Sequence, residues 1–225
     1  MNQELTPGPA VPPEYIGVWK RTLLRTPKVE DTTTEVYWMQ TESWHADIRV
    51  PANRSSCQRK LALDQLTRDE LFALARQQGF SGTTVVEGDI CRWRRQYDFQ
   101  PPSGANDIGR MVFETPDRVL EYGVEADYFE IWERVPGSQG DSFARPLSDN
   151  PLTLLLGTGD FRMMIRPRGE PLPVSPGMSV LAADMSTEAL RKLLGFEISF
   201  GRITSPNSWR IDLSTLPWRE GEAIL

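Results

Sequence analysis

Histidine is almost missing from this chain: His45 is the only one in 225 residues. Cysteine is nearly as scarce, with Cys57 and Cys91 alone. Together these shortages exclude a zinc site of the usual His and Cys ligand set, so no metal is expected. They also exclude a disulfide scaffold, although a single bridge stays open. No apolar run approaches the ~18 residues that suggest a membrane span. Net positive charge is absent as well: 31 acidic residues outweigh 25 basic ones, for a formal charge of −6. That balance disfavours a general affinity for nucleic acid or for an anionic membrane. The opening string M-N-Q-E-L-T-P-G-P-A-V-P-P has neither a basic start nor an apolar core, so no signal peptide is read and a cytoplasmic location is expected.

Catalytic and cofactor motifs are missing too. Gly79-Phe80-Ser81-Gly82 is not the G-x-S-x-G of a nucleophile elbow, and it follows a helix pattern where the elbow needs a strand. Gly157-Thr158-Gly159 lacks the third glycine and the following helix of a dinucleotide loop, so it reads as a hairpin turn. No cofactor is expected.

What is present points to β structure. Hydrophobic residues make up 39%, enough for a core, and 18 prolines and 17 glycines are spread along the chain as punctuation between short elements. After a Pro-rich lead over residues 1–14, expected to be flexible, strand patterns begin at Tyr15. The organising stretch is 36–51, V-Y-W-M-Q-T-E-S-W-H-A-D-I-R-V-P, anchored by Trp38 and Trp44. Within it Trp44, Ala46, Ile48 and Val50 alternate with His45, Asp47 and Arg49, which predicts one dry face and one polar face. Further strands are predicted at 83–87, 90–99, 108–114, 118–124 and 128–135, then at 152–156, 161–166, 196–203 and 209–213. Residues 136–150 read as loop. Thr67-Arg68-Asp69-Glu70 is a capping box that starts a short helix, with Gly79 as its expected stop. A second short helix is predicted over about 186–194.

Several features recur downstream at spacings of 113 to 119 residues. Trp19-Lys20-Arg21 matches Trp132-Glu133-Arg134, and Trp44 with Ile48-Arg49 matches Phe161 with Ile165-Arg166. The helix starts at Thr67 and Ser186 correspond, as do Trp93-Arg94 with Trp209-Arg210 and Pro101 with Pro217. Near-constant spacing argues for a duplicated unit of roughly 115 residues. The expected fold is mainly β: two antiparallel barrel units packed tightly together, over 15–125 and 126–225, each with one short helix.

The Gly17-x-Trp19 start of the first strand, followed by a meander, resembles the lipocalin and fatty-acid-binding (calycin) superfamily. The resemblance implies that Trp19 sits at a closed barrel end beneath a basic residue. The strings W-M-Q-T-E-S-W-H-A-D-I-R-V-P, Y-D-F-Q-P-P-S-G-A-N-D-I-G-R-M and S-T-L-P-W-R-E-G resemble a family of uncharacterised bacterial proteins. These are similar to a fungal casein-kinase-interacting protein made of two calycin-like barrels. The likeness runs from about residue 15 to 221, implies a fold, and carries no catalytic motif.

The best candidate binding face is the row Cys91, Trp93, Arg95, Tyr97 and Phe99, because an arginine inside an aromatic row calls for an anion. Arg95 and Tyr97 also resemble the Arg-x-Tyr pair that grips a carboxylate in fatty-acid-binding proteins. The alternatives are an internal ion pair of Arg95 with Glu114, Glu121 or Asp107, or burial of the opposite face of the strand. For acid–base work the candidates are His45, with Asp47 two residues on along the same strand face, and Glu121; the alternative for His45 and Asp47 is a plain polar strand face.

Three functions follow. The first is a non-catalytic carrier of a small hydrophobic, amphipathic or carboxylated molecule, its head held by Arg95 and Tyr97 and its body by Trp19, Trp38, Trp44 and Trp93. The second is an isomerase, hydratase or cyclase working in a barrel cavity. The third is a protein-interaction module with solid barrels. A homodimer is one expected assembly.

Overall fold

A computed structural model describes residues 6–54, 61–147 and 152–225. Cys57 lies outside the described residues; Cys91 is a buried free thiol. The chain forms two antiparallel sheets. The first contains β1 (Gly17–Arg25), the short β2 (Glu30–Asp31), β3 (Glu35–Gln40), β4 (Trp44–Val50), β5 (Gln78–Glu87), β6 (Ile90–Asp98), β7 (Ile108–Thr115), β8 (Arg118–Gly123) and β9 (Phe129–Arg134). Strands β1 and β3 to β9 follow one another around the sheet, and β9 pairs back onto β1 through Trp19↔Arg134 and Arg21↔Trp132. This is a closed eight-stranded up-and-down barrel, with no free edge on β1 or β9.

The second sheet holds β10 (Ser142–Pro146), β11 (Leu154–Thr158), β12 (Phe161–Arg166), β13 (Glu197–Ser205), β14 (Ser208–Ser214) and β15 (Ala223–Ile224). Its order is sequential, and its first and last strands do not pair. The second unit expected to be a barrel is therefore an open sheet. It has only six strands, and its inner face is already covered by the barrel wall. The described residues also form three α-helices, α1 (Arg68–Leu74), α2 (Met178–Ala182) and α3 (Thr187–Leu193), beside short 3-10 turns.

Alternation along β4 explains how the layers stack. Trp44, Ala46, Ile48 and Val50 point out of the barrel and join Leu154, Leu156, Met163, Ile165, Ile198 and Phe200 of the second sheet in one apolar core. Burying a Leu, Ile or Phe side chain in such a layer stabilises by about 1.5–3 kcal/mol. The polar set, His45, Asp47 and Arg49, points inward. The predicted dry face is thus the inter-sheet face, and the predicted polar face is the barrel interior.

The capping box forms as read, with Thr67 and Glu70 exchanging backbone bonds at the start of α1. The helix ends earlier than expected, because Gln78 and Gly79 already belong to β5. Ser186 caps α3 by its hydroxyl alone, which accepts from the Ala189 N–H. The two helices are tied by arginines that reach each other's entry loops: Arg68 donates to the carbonyls of Ala183 and Met185, and Arg191 to those of Leu63 and Leu66.

Other expectations shift. Strand β10 lies within the stretch read as loop, because Phe143-Ala144-Arg145 pairs with β11. The barrel's closing strand β9 lies beyond residue 125, so the two sheets divide between Arg134 and Ser142. Trp19 and Trp132, matched as copies of each other, belong to neighbouring strands of one barrel. Within the Pro-rich lead, Val11 is buried and its N–H bonds Glu42 O at 2.7 Å. Pro13–Tyr15 then forms a 3-10 turn that stoppers one barrel end.

Candidate functional site

The barrel interior divides into two halves of opposite chemistry. At the end closed by Tyr15, four indoles pack together. Trp38 stacks on Trp19 at 6.2 Å and meets Trp93 and Trp132 edge-on at 5.6 and 5.8 Å. Arg134 lies over the Trp19 ring at 4.1 Å and donates to the carbonyls of Glu14, Ile16 and Pro116, binding β9 to the stopper. Cys91 sits in this aromatic half, where burial, then the Glu121 charge, raises its thiol pKa far from reactivity.

The other half is ionic. Arg21 bonds Glu130 at 2.7 Å and Asp31 at 3.1 Å, and Arg49 bonds Asp47 at 2.7 Å with Glu130 at 3.8 Å. Arg95 bonds Asp107 at 2.7 Å and Asp98 at 2.9 Å. Phe80 separates two of these cations, with Arg95 at 3.5 Å and Arg49 at 5.3 Å from its ring centre. Glu121 is the exception: its carboxyl accepts from Tyr128 Oη at 2.7 Å and Trp132 Nε1 at 2.9 Å and makes no ion pair among the described residues. Burial, reinforced by the nearby Glu130 charge, lifts its pKa well above the ordinary carboxylate value.

His45 lies wholly buried between the halves. Gln40 uses its amide N–H to reach the carbonyls of Thr41 and Trp44, so its Oε1 accepts from the Thr84 hydroxyl at 2.8 Å. Thr84 Oγ1 must then accept from His45 Nδ1–H at 3.0 Å. This chain of donors sets the tautomer and leaves Nε2 a bare acceptor; neither it nor Trp38 Nε1 has a hydrogen-bond partner among the described residues. Burial, together with the Arg95 charge, pushes the His45 pKa down to about 3. The imidazole is neutral throughout the physiological range. Asp47 does not orient it, because that carboxylate is held by Arg49.

The expected row on β6 is split. Cys91 and Trp93 face the barrel interior, but the pairing with β5 slips between Ser81 and Gly82, so that Ser81 faces Tyr97 and Gly82 faces Arg95. Gln96 is the extra residue of this bulge, and it turns Tyr97 and Phe99 outward to the inter-sheet core. Gly82 is required here, since an added Cβ would overlap the carbonyl oxygen of Arg94. The Arg95–Tyr97 grip is therefore not assembled, and Asp107, one of the alternatives named for Arg95, is its partner. Trp44 likewise points away from the interior, whereas Trp19, Trp38 and Trp93 line it.

Sequence reasoning missed a cleft of about 1410 Å³ beside β6. Strand β6 pairs with β7 only from Ile90 to Arg92, and the last bond on that side is Trp93 N–H to Asp107 O at 3.0 Å. Beyond it the barrel wall parts, because Pro101 and Pro102 divert the chain into the 99–107 loop, which swings wide of the strand. The cleft lies between this bare flank and the 167–180 segment of the second sheet, with Arg92, Arg94 and Arg95 along one wall. The double proline was the available signal.

Among the described residues no group of His, Cys, Asp and Glu is disposed to hold a metal ion, and no helix is long and apolar enough to cross a membrane. No family model and no curated protein matches the chain. Among solved structures it is similar to the crystal structure of an uncharacterized protein, YLR301w, from Saccharomyces cerevisiae. The TM-score is 0.53 and the identity 12%, over 88% of this chain and 84% of that one. At that identity the likeness is one of fold alone.

Proposed function

We propose that this chain is a non-catalytic binding protein with a filled barrel, whose partners dock on the outside. One observation carries the reading: both halves of the interior are occupied by the protein's own side chains. Four indoles fill the closed end, and the paired charges of Arg21 and Arg49 fill the other, with the more exposed Arg95 at its mouth beside the cleft. A carrier with an internal carboxylated ligand is supported less well, since Arg95 already meets two carboxylates and Tyr97 faces elsewhere. Acid–base catalysis at His45 is supported less well again, given its neutral, fully enclosed ring.

A calycin-type origin for the barrel is supported by Trp19 lying beneath Arg134 at the stoppered end. Descent of the second sheet from the same unit is supported by a shared order: β3–β4–α1–β5–β6 corresponds to β11–β12–α3–β13–β14. The bulge at Gly82 has its counterpart at Gly201, where an added Cβ would overlap the carbonyl of Arg210.

The test is native mass spectrometry of freshly purified protein, before and after denaturation, together with uptake of a lipophilic dye. The expected result is a bare polypeptide mass and no dye uptake. A small molecule released only on denaturation would overturn the filled-barrel reading.

A further inference from the structure

The open flank of β6 has the features of a docking edge. Its ladder to β7 stops at Arg92, and the strand continues to Asp98. At the far end Arg168 donates to the carbonyls of Asp98 and Phe99 at 2.9 and 2.7 Å, which closes the edge there. Residues 94–97 remain with β5 on one side and the cleft on the other. Four residues span ~13 Å, room for a short added strand. Bulges and charged side chains blunt sheet edges, and both occur here at Gln96 and Arg94, yet a flank left uncovered beside a cleft is still a short template for strand addition.

Charge selects the occupant. Arg94 and Arg76 line the cleft, are exposed, and make no ion pair or side-chain hydrogen bond among the described residues. Arg92 has only a loose pair with Glu87 at 3.8 Å. Of the carboxylates in the cleft, Asp98 and Asp107 are held by Arg95, Glu125 accepts from the neutral Asn106 and keeps its charge away from the strand, and Glu170 stands on the opposite wall. The uncommitted charge along the edge is thus positive, in a protein whose net charge is −6. Size points the same way: at about 1410 Å³ the cleft exceeds the ~300–1,000 Å³ of small-molecule sites.

We propose that β6 takes up an extended acidic segment of a partner protein as an added strand, its carboxylates meeting Arg92 and Arg94. Alternation along that strand would set acidic side chains on the arginine side and apolar ones toward Trp93. This inference rests on the filled-barrel reading, with the partner outside.

The probe is a labelled, end-blocked peptide of alternating Glu and Val, six residues long, followed by fluorescence anisotropy with the full chain. Saturable binding is expected, with slowed amide hydrogen exchange confined to residues 94–97. Arg94→Glu and Arg92→Glu are each expected to weaken it about tenfold. So are a Lys-for-Glu peptide and a peptide N-methylated at alternate amides. Arg210→Glu, at the matching position of the second sheet and outside the cleft, should leave binding unchanged. Equal binding by the N-methylated peptide, or indifference to Arg94→Glu, overturns the proposal. Protection of residues 94–97 that appears without peptide and grows with protein concentration also overturns it, by assigning the edge to a second copy. No peptide binding by a chain of bare polypeptide mass overturns strand addition alone. A co-purifying small molecule overturns both this inference and the filled-barrel reading.

Discussion

The barrel and the second sheet share an order of strands and helix, yet one closes and the other stays open. The barrel has eight strands to the open sheet's six, so its edges pair and its interior becomes a separate compartment. In that compartment charges can be buried because each meets a partner, as Arg21 meets Glu130 with both side chains about 5% exposed. The open sheet has no compartment of its own. It buries its inner face against the barrel wall, and its edges are blunted by a proline-ended β10 and a two-residue β15. Inside the barrel polar groups are networked and between the sheets the layer is apolar; the open sheet buries Glu197 on its other face, where Arg166 and Arg219 meet it. The gap beside β6 is the one place in the barrel wall where the sheet behaves like the open one.

If the second sheet depends on the barrel wall, the largest loss comes from their shared layer. Phe161 is 1% exposed and stacked on Phe200 at 5.6 Å. Phe161→Ala is expected to cost about 3–5 kcal/mol. Hydrogen exchange under mild denaturant should show both sheets losing protection together; loss from β11 to β14 alone would break the dependence.

The networked interior is tested next. Glu130→Leu leaves Arg21 and Arg49 short of a partner and is expected to cost about 3 kcal/mol in urea unfolding. Adding Arg21→Met should recover part of that loss. An Arg21→Met change that makes matters worse by its full single-variant cost would mean the two residues are not coupled.

The correspondence between the sheets predicts matched effects at the two bulges. Gly82→Ala and Gly201→Ala should each destabilise by about 1–3 kcal/mol, since each added methyl meets backbone. A neutral Gly201→Ala would dissolve the correspondence at that point.

The smallest effect is on acid stability. His45 ordinarily titrates near 6.5 in an unfolded chain, but in the fold its pKa is pushed down to about 3. Between those values the unfolded chain binds a proton that the native state refuses, so this stability is lost as pH falls from about 6.5 toward 3. His45→Asn, which keeps a donor for Thr84, should flatten the fall in melting temperature over that window. An unchanged slope would mean the ring is not enclosed as described.

Much of this was legible locally. The capping box at Thr67, the turn at Gly159-Asp160, and the two faces of β4 follow from spacing, because alternation and capping are properties of neighbouring residues. The candidate site was less legible. Arg95 and Tyr97 sit two apart and read as one face; the bulge that separates them depends on Gly82 lying across from them, thirteen residues upstream of Arg95. His45 and Asp47 also share a face, but their partners, Thr84 and Arg49, were chosen by packing.

The sequence by itself determined that this chain would be an antiparallel β protein with short capped helices and no apolar run of membrane-spanning length. Those features reside in periodicity and composition, which need no knowledge of distant contacts. Only the tertiary structure decided that one sheet closes and the other does not, which of the two faces of β4 is interior, and that β6 keeps an open flank. Each of those depends on pairings between residues far apart in the chain, and one slip of register or one pair of prolines is enough to change the outcome.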